Sequence, residues 1–235
     1  MEGMQFIVSI LVIIAIIFLL NKAFRNKNKL SSFNDGNVQL VLPSDKIDSS
    51  TSTNYSYSIW FYVEDWNYKY GQEKILLQRS DDNNKPCPKI SLGAFQNDLT
   101  VSVETYPNSD TAGKNNTTQT FNCTVKNVPI QSWVNALVSV NNRTLDVYLD
   151  GKLVKTCVMP GVAKVAGNTP VIITPAGGFS GFTSYIEYWA NSSNPQDAWN
   201  IYRKGHGGTN PFNKYKIKIA VLENNKETSS YQTPS

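Results

Sequence analysis

A long apolar run near the amino terminus is the feature that most constrains what this chain can form. Residues 4–20 read MQFIVSILVIIAIIFLL and contain no charged side chain. About 20 helical residues cross the roughly 30 Å of hydrocarbon in a bilayer, and residues 4–24 reach that length because Lys22 can extend its ammonium group to the lipid surface. We therefore predict a transmembrane helix within residues 1–24. Its large apolar residues are Phe6, Ile7, Val8, Ile10, Leu11, Val12, Ile13, Ile14, Ile16, Ile17, Phe18, Leu19 and Leu20.

The charges that flank this run predict its orientation. Lys22, Arg25, Lys27 and Lys29 follow the run, whereas Glu2 is the only charged side chain before it. Because cytosolic flanks carry the excess of Lys and Arg, we expect everything after the helix to lie on the cytosolic side. The same four cations can contact anionic lipid headgroups. The alternative, a cleaved signal peptide, requires a basic segment before the run and a small-residue cleavage site after it, and the sequence has neither.

Composition and cysteine count narrow the class of protein further. Charged residues make up 17%, aromatic residues 11%, and the net charge is +4, which excludes a disordered chain and gives no basic tract for nucleic acid. Cys87, Cys123 and Cys157 are too few and too odd in number for a disulfide framework, so we expect free thiols in a reducing compartment. A Cys123–Cys157 disulfide is the open alternative. Glycosylation sequons matter only if the domain is luminal or extracellular. They begin at Asn54, Asn115, Asn116, Asn122, Asn142 and Asn191.

Beyond the anchor, a polar, basic stalk is predicted for residues 25–37, followed by a β domain over residues 38–208. Short runs of β-branched and aromatic residues recur between turn residues, as in an antiparallel sandwich. Asp150-Gly151 predicts a type I′ hairpin, and Asn194-Pro195 predicts the start of a short helix over residues 196–203. Residues 209–235 are expected to form one strand, residues 214–222, and a polar tail. The predicted strands of the domain are 38–42, 55–63, 74–79, 89–92, 99–104, 118–125, 133–140, 144–149, 152–158, 171–174 and 183–189.

Several motifs follow one another in a recognisable order. They are IWFYV, ILLQR, PKISLG, LTVSVE, WVNALVSV, LDVYLDGKLV and GFSGFTSYIEYW. This order resembles the laminin-G-like branch of the concanavalin A-like lectin/glucanase superfamily. The resemblance implies an all-β, antiparallel two-sheet jelly-roll sandwich, here preceded by one N-terminal transmembrane α-helix. It also implies that Trp133 opens a core strand and that Tyr148 and the hairpin pack beside it. Independently, the glycines that bracket Phe179 and Phe182 indicate tight bends that let these two rings tuck under the sheet.

The order of anchor, basic stalk and single jelly roll supports a narrower resemblance. In an Asn-rich chain, this architecture is similar to virion membrane or minor capsid proteins of large icosahedral double-stranded DNA viruses, such as the chlorella viruses. In such virions an internal membrane lies beneath the capsid shell. The resemblance implies a single-pass protein of that membrane, with the carboxy-terminal domain on the cytosolic-equivalent face among capsid proteins.

No catalytic, metal or cofactor site is predicted. His206 is the only histidine and lies in a Gly-rich segment that we expect to be an exit loop. Glycosidases need two carboxylates across a cleft, and the related glucanases carry them as E-x-D-x-x-E, whereas Glu187 stands alone here. The resemblance implies that calcium could bind through carboxylates and carbonyls at the rim of the sandwich, but we interpret the acidic residues here as solvated turn residues. Those residues are Asp81, Asp82, Asp98 and Asp110.

The aromatic loop of residues 64–73 leaves two interpretations open. Trp66, Tyr68 and Tyr70 could contact a ligand or protein partner, or they could cover the edge of the sandwich. The features together favour a non-enzymatic, membrane-anchored structural protein whose partners are the bilayer and protein neighbours. A membrane-anchored carbohydrate-binding module is the first alternative, and a glycan-cleaving enzyme is the second.

Overall fold

The computed structural model describes residues 27–47, 52–107, 118–207, 218–223 and 226–232, together with Ala15. Apart from Ala15, the predicted membrane anchor lies outside the described residues. Within the described ranges, no helix has both the length and the apolar character needed to cross a membrane.

Two antiparallel sheets and a small separate hairpin make up the strands of the described residues. The strands are β1 (Lys29–Ser31), β2 (Asn34–Asp35), β3 (Leu40–Leu42), β4 (Tyr55–Asp65), β5 (Lys74–Ser80), β6 (Pro86–Leu92), β7 (Leu99–Thr105), β8 (Gln119–Val125), β9 (Trp133–Asn141), β10 (Thr144–Leu149), β11 (Lys152–Val158), β12 (Val171–Ile173), β13 (Ser180–Trp189), β14 (Lys218–Glu223) and β15 (Lys226–Gln232). Sheet A has the order β1-β13-β4-β9-β10-β11, with β2 also pairing with β13, and sheet B has the order β3-β12-β5-β6-β7-β8. The predicted all-β two-sheet sandwich is confirmed.

The main core lies between the two sheets and follows the period of two that strands impose. In β4 the odd-numbered residues, from Tyr55 to Val63, point into this core and are buried. They meet the even-numbered residues of β9, such as Val134 and Val138, on the same face of sheet A and apolar residues of sheet B, such as Ile90, across the sandwich.

A short helix covers part of the outer face of sheet A. Helix α1 (Pro195–Arg203) begins with a capping box, in which the Asn194 side chain accepts from the Asp197 amide and the Asp197 side chain accepts from the Asn194 amide, both at 3.0 Å. The predicted helix start is therefore confirmed. Ala198 and Ile201 of α1 are buried against Leu137 and Tyr148 of the sheet, which forms a second, smaller core.

The predicted stalk differs from the structure, because the sandwich begins before residue 38. Strand β1 pairs with β13 at Glu187 and Ile186, and β2 pairs with β13 at Phe182 and Thr183. Leu30 also packs against the main core. Strands of two or three mostly polar residues give no period-two signal, yet they satisfy the backbone groups along one side of β13.

The expectation of free thiols is wrong for two of the three cysteines. Cys123 of β8 and Cys157 of β11 form a disulfide, whereas Cys87 is free and buried. Because β8 is the edge of sheet B and β11 is the edge of sheet A, the disulfide joins the two sheets along one side of the sandwich. Lys155 adds a second link there, since its ammonium donates to the carbonyl of Thr124 at 2.7 Å.

The carboxy-terminal segment contains a second strand where a polar tail was expected. Strand β14 pairs with β15 in an antiparallel two-stranded sheet that is separate from sheets A and B. Lys226–Gln232 is rich in polar residues, so its composition alone does not distinguish a tail from a strand that a neighbouring strand supports.

Removing the disulfide should destabilise the sandwich. The two cysteines are 34 residues apart, and closing a loop of that length in the unfolded chain corresponds to about 3–4 kcal/mol. We expect the Cys123→Ser/Cys157→Ser variant of the full chain in detergent to lose about this much free energy of unfolding in urea titrations. Reductant should reproduce the loss in the wild type and leave the variant unchanged. A wild type that is insensitive to reductant would contradict the pairing.

Candidate interaction surface

Aromatic rings form a continuous row across the outer face of sheet A, which we call the aromatic stripe. Neighbouring ring centroids lie 4.5–6.4 Å apart, within the range of direct ring contact. The members, in order across the face, are Phe33, Phe182, Tyr62, Trp133, His206, Trp60, Tyr202 and Trp199. The row is therefore held by strands β13, β4 and β9 in its middle and by α1 at one end.

Both ends of the aromatic stripe are open to solvent. Phe33 is 59% exposed and Trp199 is 42% exposed, whereas Trp60 in the interior of the row is buried. Tyr62, Trp133 and Phe182, which are also on the strands, are half-buried. A contiguous row of partly exposed aromatic residues on rigid strands is typical of a surface that binds another molecule.

His206 lies in the loop after α1, as predicted, and its ring occupies the centre of the aromatic stripe. Its ring stacks on Trp133 with centroids 4.5 Å apart and an interplanar angle of 3°, and it meets Trp60 edge-on at 6.1 Å. The hydroxyl of Ser184 donates to the His206 carbonyl at 2.6 Å, which holds the loop after α1 against the sheet. Partial burial lowers the pKa of His206.

The side chain of Trp133 lies on the outer face of sheet A and not in the main core. Trp133 does open β9, but the even-numbered neighbours Val134 and Ala136 point into the main core, so Trp133 points outward. Phe182 also lies on the outer face, beside Tyr62 and Phe33. These two predicted core residues are thus members of the aromatic stripe.

The structure places the other predicted structural residues in the two cores and in the β10–β11 turn. Phe179 is fully buried in the main core, and Tyr148 is buried in the smaller core beneath α1. Asp150 and Gly151 have φ values of +49° and +74°, as a type I′ turn requires. The Asp150 carboxylate also accepts a hydrogen bond from the Asn135 amide at 2.9 Å, which fixes the turn against β9.

Most of the predicted aromatic loop supports the sandwich. Trp66 is half-buried against the main core, and the ammonium of the fully buried Lys74 lies 4.5 Å above its ring. Burial lowers the pKa of Lys74, and Asp65 opposes that shift. Tyr68 is half-buried, whereas Tyr70 is exposed and contacts the exposed Phe95. Of the three, Tyr70 remains a surface candidate, and it lies outside the aromatic stripe.

A polar cavity of about 320 Å³ lies along another face of α1. The cavity contains one cation, Lys204, whose ammonium lies 3.7 Å from the fully buried carboxylate of Glu187. Its one carboxylate, Asp197, is occupied by the capping box. The other polar groups are neutral, which suits a small uncharged ligand with hydroxyl groups. The lining residues are Trp189, Asn191, Ser192, Ser193, Asp197, Asn200, Ile201 and Lys204.

The four acidic residues that the sequence offers for calcium do not form a cluster in the described part of the chain. Asp81 forms an ion pair with Lys164 and accepts from the amides of Asn83 and Lys85. Burial by itself raises the pKa of Asp81, but these hydrogen bonds lower it below its ordinary value. Asp98 accepts from an amide at 3.1 Å, Asp82 is exposed, and Asp110 lies outside the described residues. The described part of the chain contains no group of three or more His, Cys, Asp or Glu side chains that could hold a metal ion.

A comparison of the sequence with family models identifies the family, and the result agrees with the two-sheet sandwich. A laminin-G family model, described as the Concanavalin A-like lectin/glucanases superfamily, matches residues 34–188, more than half of the chain. The chain belongs to the concanavalin A-like superfamily. The match begins within β2, which agrees with a sandwich that starts before residue 38. No curated protein matches the chain.

Solved structures similar to this concanavalin A-like chain include receptor-binding domains of botulinum neurotoxins. One from a mosaic serotype C/D has a TM-score of 0.55 at 8% identity, over 74% of this chain and 41% of that chain. A second C/D mosaic structure has a TM-score of 0.54 at 10% identity, over 83% of this chain and 51% of that chain. The domain from neurotoxin D has a TM-score of 0.53 at 11% identity, over 74% and 43%. This chain spans about half or less of those chains, and the similarity shows the shared fold.

Replacing Gly151 should destabilise the contact between the β10–β11 hairpin and α1. A Cβ atom there would lie 3.0 Å from Cβ of Tyr202 and 3.2 Å from Cα of Trp199. Gly151→Ala should therefore cost about 2–4 kcal/mol of unfolding free energy, from the left-handed backbone and from displaced helix contacts. Gly167→Ala is the matched control, because its φ is +69° and no atom lies within 4 Å of the added Cβ. It should cost about 1–2 kcal/mol, and equal losses in urea titrations would contradict the contact with α1.

The stacked His206 should make stability depend on pH. Because its pKa is lower in the folded state, the unfolded state binds the proton more readily, and stability falls as the pH drops through the ordinary histidine range. We expect a lower urea midpoint at about pH 5 than at about pH 7.5, with a smaller decrease in His206→Gln. The lowered pKa of Asp81 affects stability only in more acidic solution. The same decrease in wild type and variant would contradict this assignment.

Proposed function

We propose that this chain is a non-enzymatic, membrane-anchored interaction protein. The amino-terminal apolar run fixes the concanavalin A-like sandwich to a bilayer, and the aromatic stripe of sheet A binds a protein neighbour. Confinement to a membrane raises the effective concentration of the sandwich beside other membrane-associated proteins, so individually weak contacts suffice. The observation that carries this proposal is the partly exposed aromatic stripe on rigid strands.

The stripe has the composition expected for the centre of a protein interface. Tryptophan and tyrosine are enriched in binding hot spots because they bury a large area with few rotatable bonds. Trp133 and Tyr62 stand on neighbouring strands β9 and β4, directly opposite each other in the ladder. Their positions are thus fixed before a partner arrives, which reduces the entropy lost on binding.

The geometry around Glu187 supports a non-enzymatic role. This carboxylate was the one candidate acid for glycoside cleavage, and it is fully buried beside Lys204. General acid catalysis requires a group within hydrogen-bond reach of the substrate, and retaining or inverting cleavage requires a second carboxylate opposite it. The cavity beside α1 contains Asp197, whose carboxylate is already engaged at the helix start.

The specific setting that we propose is a virion with an internal membrane. There the anchor would lie in that membrane and the sandwich would contact capsid proteins above it, as a minor capsid or virion membrane protein. This part of the proposal is supported by the order of anchor and single jelly roll, and by the positive charges that follow the anchor.

Carbohydrate binding is a second candidate, and the polar cavity beside α1 favours it. An aromatic wall from Trp189 and neutral polar groups such as Asn200 and Ser192 match the apolar face and hydroxyl groups of a sugar. The disulfide also agrees with an outward-facing domain, since disulfides persist in oxidising compartments. The neurotoxin structures of similar fold are named receptor-binding domains.

Photo-cross-linking on α1 separates the two candidates. Positions 199 and 200 are adjacent but lie on different faces of the helix, since Trp199 contacts the aromatic stripe and Asn200 lines the cavity. We would place benzoylphenylalanine at 199, at 200 or at the control position Phe95, which is 66% exposed in another region. In the membranes that carry the native protein, a protein adduct at 199 and none at 95 is the expected result.

Each other outcome has a defined meaning. An adduct at 200 that glycosidase removes, with none at 199, would favour the carbohydrate candidate. Equal cross-linking at 199 and 95 would show that the stripe has no specific protein partner. Recovery of the chain in the soluble fraction would contradict the anchor.

A further inference from the structure

The amino-terminal segment forms one long side of the sandwich. Strands β1 and β2 lie at the edge of sheet A, and β3 lies at the edge of sheet B. Between them the chain crosses from one sheet to the other, where the Gly36 amide donates to Gly181 and the Thr174 hydroxyl donates to the Val38 carbonyl, both at 2.7 Å. We call this side, residues 29–42, the entry edge.

The entry edge is separated from the predicted anchor by very little chain. The predicted membrane segment ends at Phe24 and β1 begins at Lys29. Four intervening residues span at most about 14 Å even when fully extended. A stalk of thirteen residues, as the sequence suggested, would allow about 45 Å. The difference decides whether the sandwich can move away from the lipid surface.

The side chains of the entry edge suit a lipid surface. Phe33 is 59% exposed, Val38 is 58% exposed and Val41 is 49% exposed, and all three lie along this one segment. The chain that enters the edge is basic, with Lys27 exposed and Lys29 held 5.0 Å above the ring of Tyr185. Aromatic and aliphatic residues beside cations are the composition that contacts anionic headgroups.

Exposed apolar residues alone would not single out this edge. Leu153 and Val158 on β11, at the opposite edge, are also exposed. Asp35 and Asp45 are acidic residues on or beside the entry edge, so charge alone is equally insufficient. The feature that distinguishes the two edges is their distance along the chain from the anchor. The entry edge begins only four residues after the predicted anchor, whereas β11 follows more than a hundred residues later.

We infer that the sandwich lies with its entry edge against the headgroups of the bilayer that holds the anchor, and that it does not extend from the membrane on a flexible stalk. This inference rests on the anchor in the proposed function. The edge that contains β11 and the disulfide then faces away from the lipid, and the aromatic stripe runs from the membrane, at Phe33, towards that distal edge, at Trp199.

A fluorescent probe on the full chain tests this orientation. Single cysteines would be introduced as Phe33→Cys, Val38→Cys and, on the opposite edge, Leu153→Cys. Selective labelling without reductant is feasible because Cys123 and Cys157 are paired and burial raises the pKa of Cys87 to about 12. Each variant would carry a nitrobenzoxadiazole label in vesicles of phosphatidylcholine and phosphatidylserine, with or without lipid that bears a nitroxide headgroup.

The expected result is strong quenching at positions 33 and 38 and little quenching at 153. Val38→Cys keeps the test valid if Phe33→Cys disturbs the aromatic stripe, because Phe33 contacts Trp133 and Phe182. Equal quenching at all three positions, in a chain that still floats with the vesicles, would overturn the docked orientation and leave the anchor intact. A chain that does not float with the vesicles would overturn the anchor, and this inference with it.

Discussion

Strand β4 is buried on both faces, and the position of every other element on sheet A follows from its register. Its odd-numbered residues fill the core between the sheets, while Ser56, Ser58 and Trp60 are buried on the outer side. Ser58 accepts from the Asn135 amide group at 3.0 Å, and Trp60 stacks on Tyr202 from α1. A shift of one residue would exchange these two faces, so the same register fixes both the core and the aromatic stripe.

The two long sides of the sandwich are protected by different means. On one side, the amino-terminal segment supplies short strands to both sheets, which covers backbone groups that would otherwise pair with another chain. On the other side, the Cys123–Cys157 disulfide and the contact of Lys155 with β8 hold the two edge strands together. Helix α1 adds a third layer on sheet A alone. Both the aromatic stripe and the polar cavity lie on that side of the sandwich.

The strands, the Asp150-Gly151 hairpin and the helix start could be predicted because each depends on local patterns of two to ten residues. The aromatic stripe could not, because period two does not reveal which face is the main core when both faces of β4 and β9 are apolar or buried. The sequence pattern therefore does not show on which face of sheet A the side chain of Trp133 lies. The short polar strand Lys29–Ser31 carries no pattern of its own, and the disulfide joins residues that only the sheet arrangement brings together.

The disulfide has a mechanical consequence. A pull between the entry edge and β11 acts across the strands of sheet A, where the ladders of β1-β13-β4-β9-β10-β11 would separate one bond at a time. Because Cys157 is bonded to Cys123 on β8, part of that load passes into sheet B before it reaches β10. Sheets A and B then share the applied force, and the disulfide is the position at which the force is divided between them.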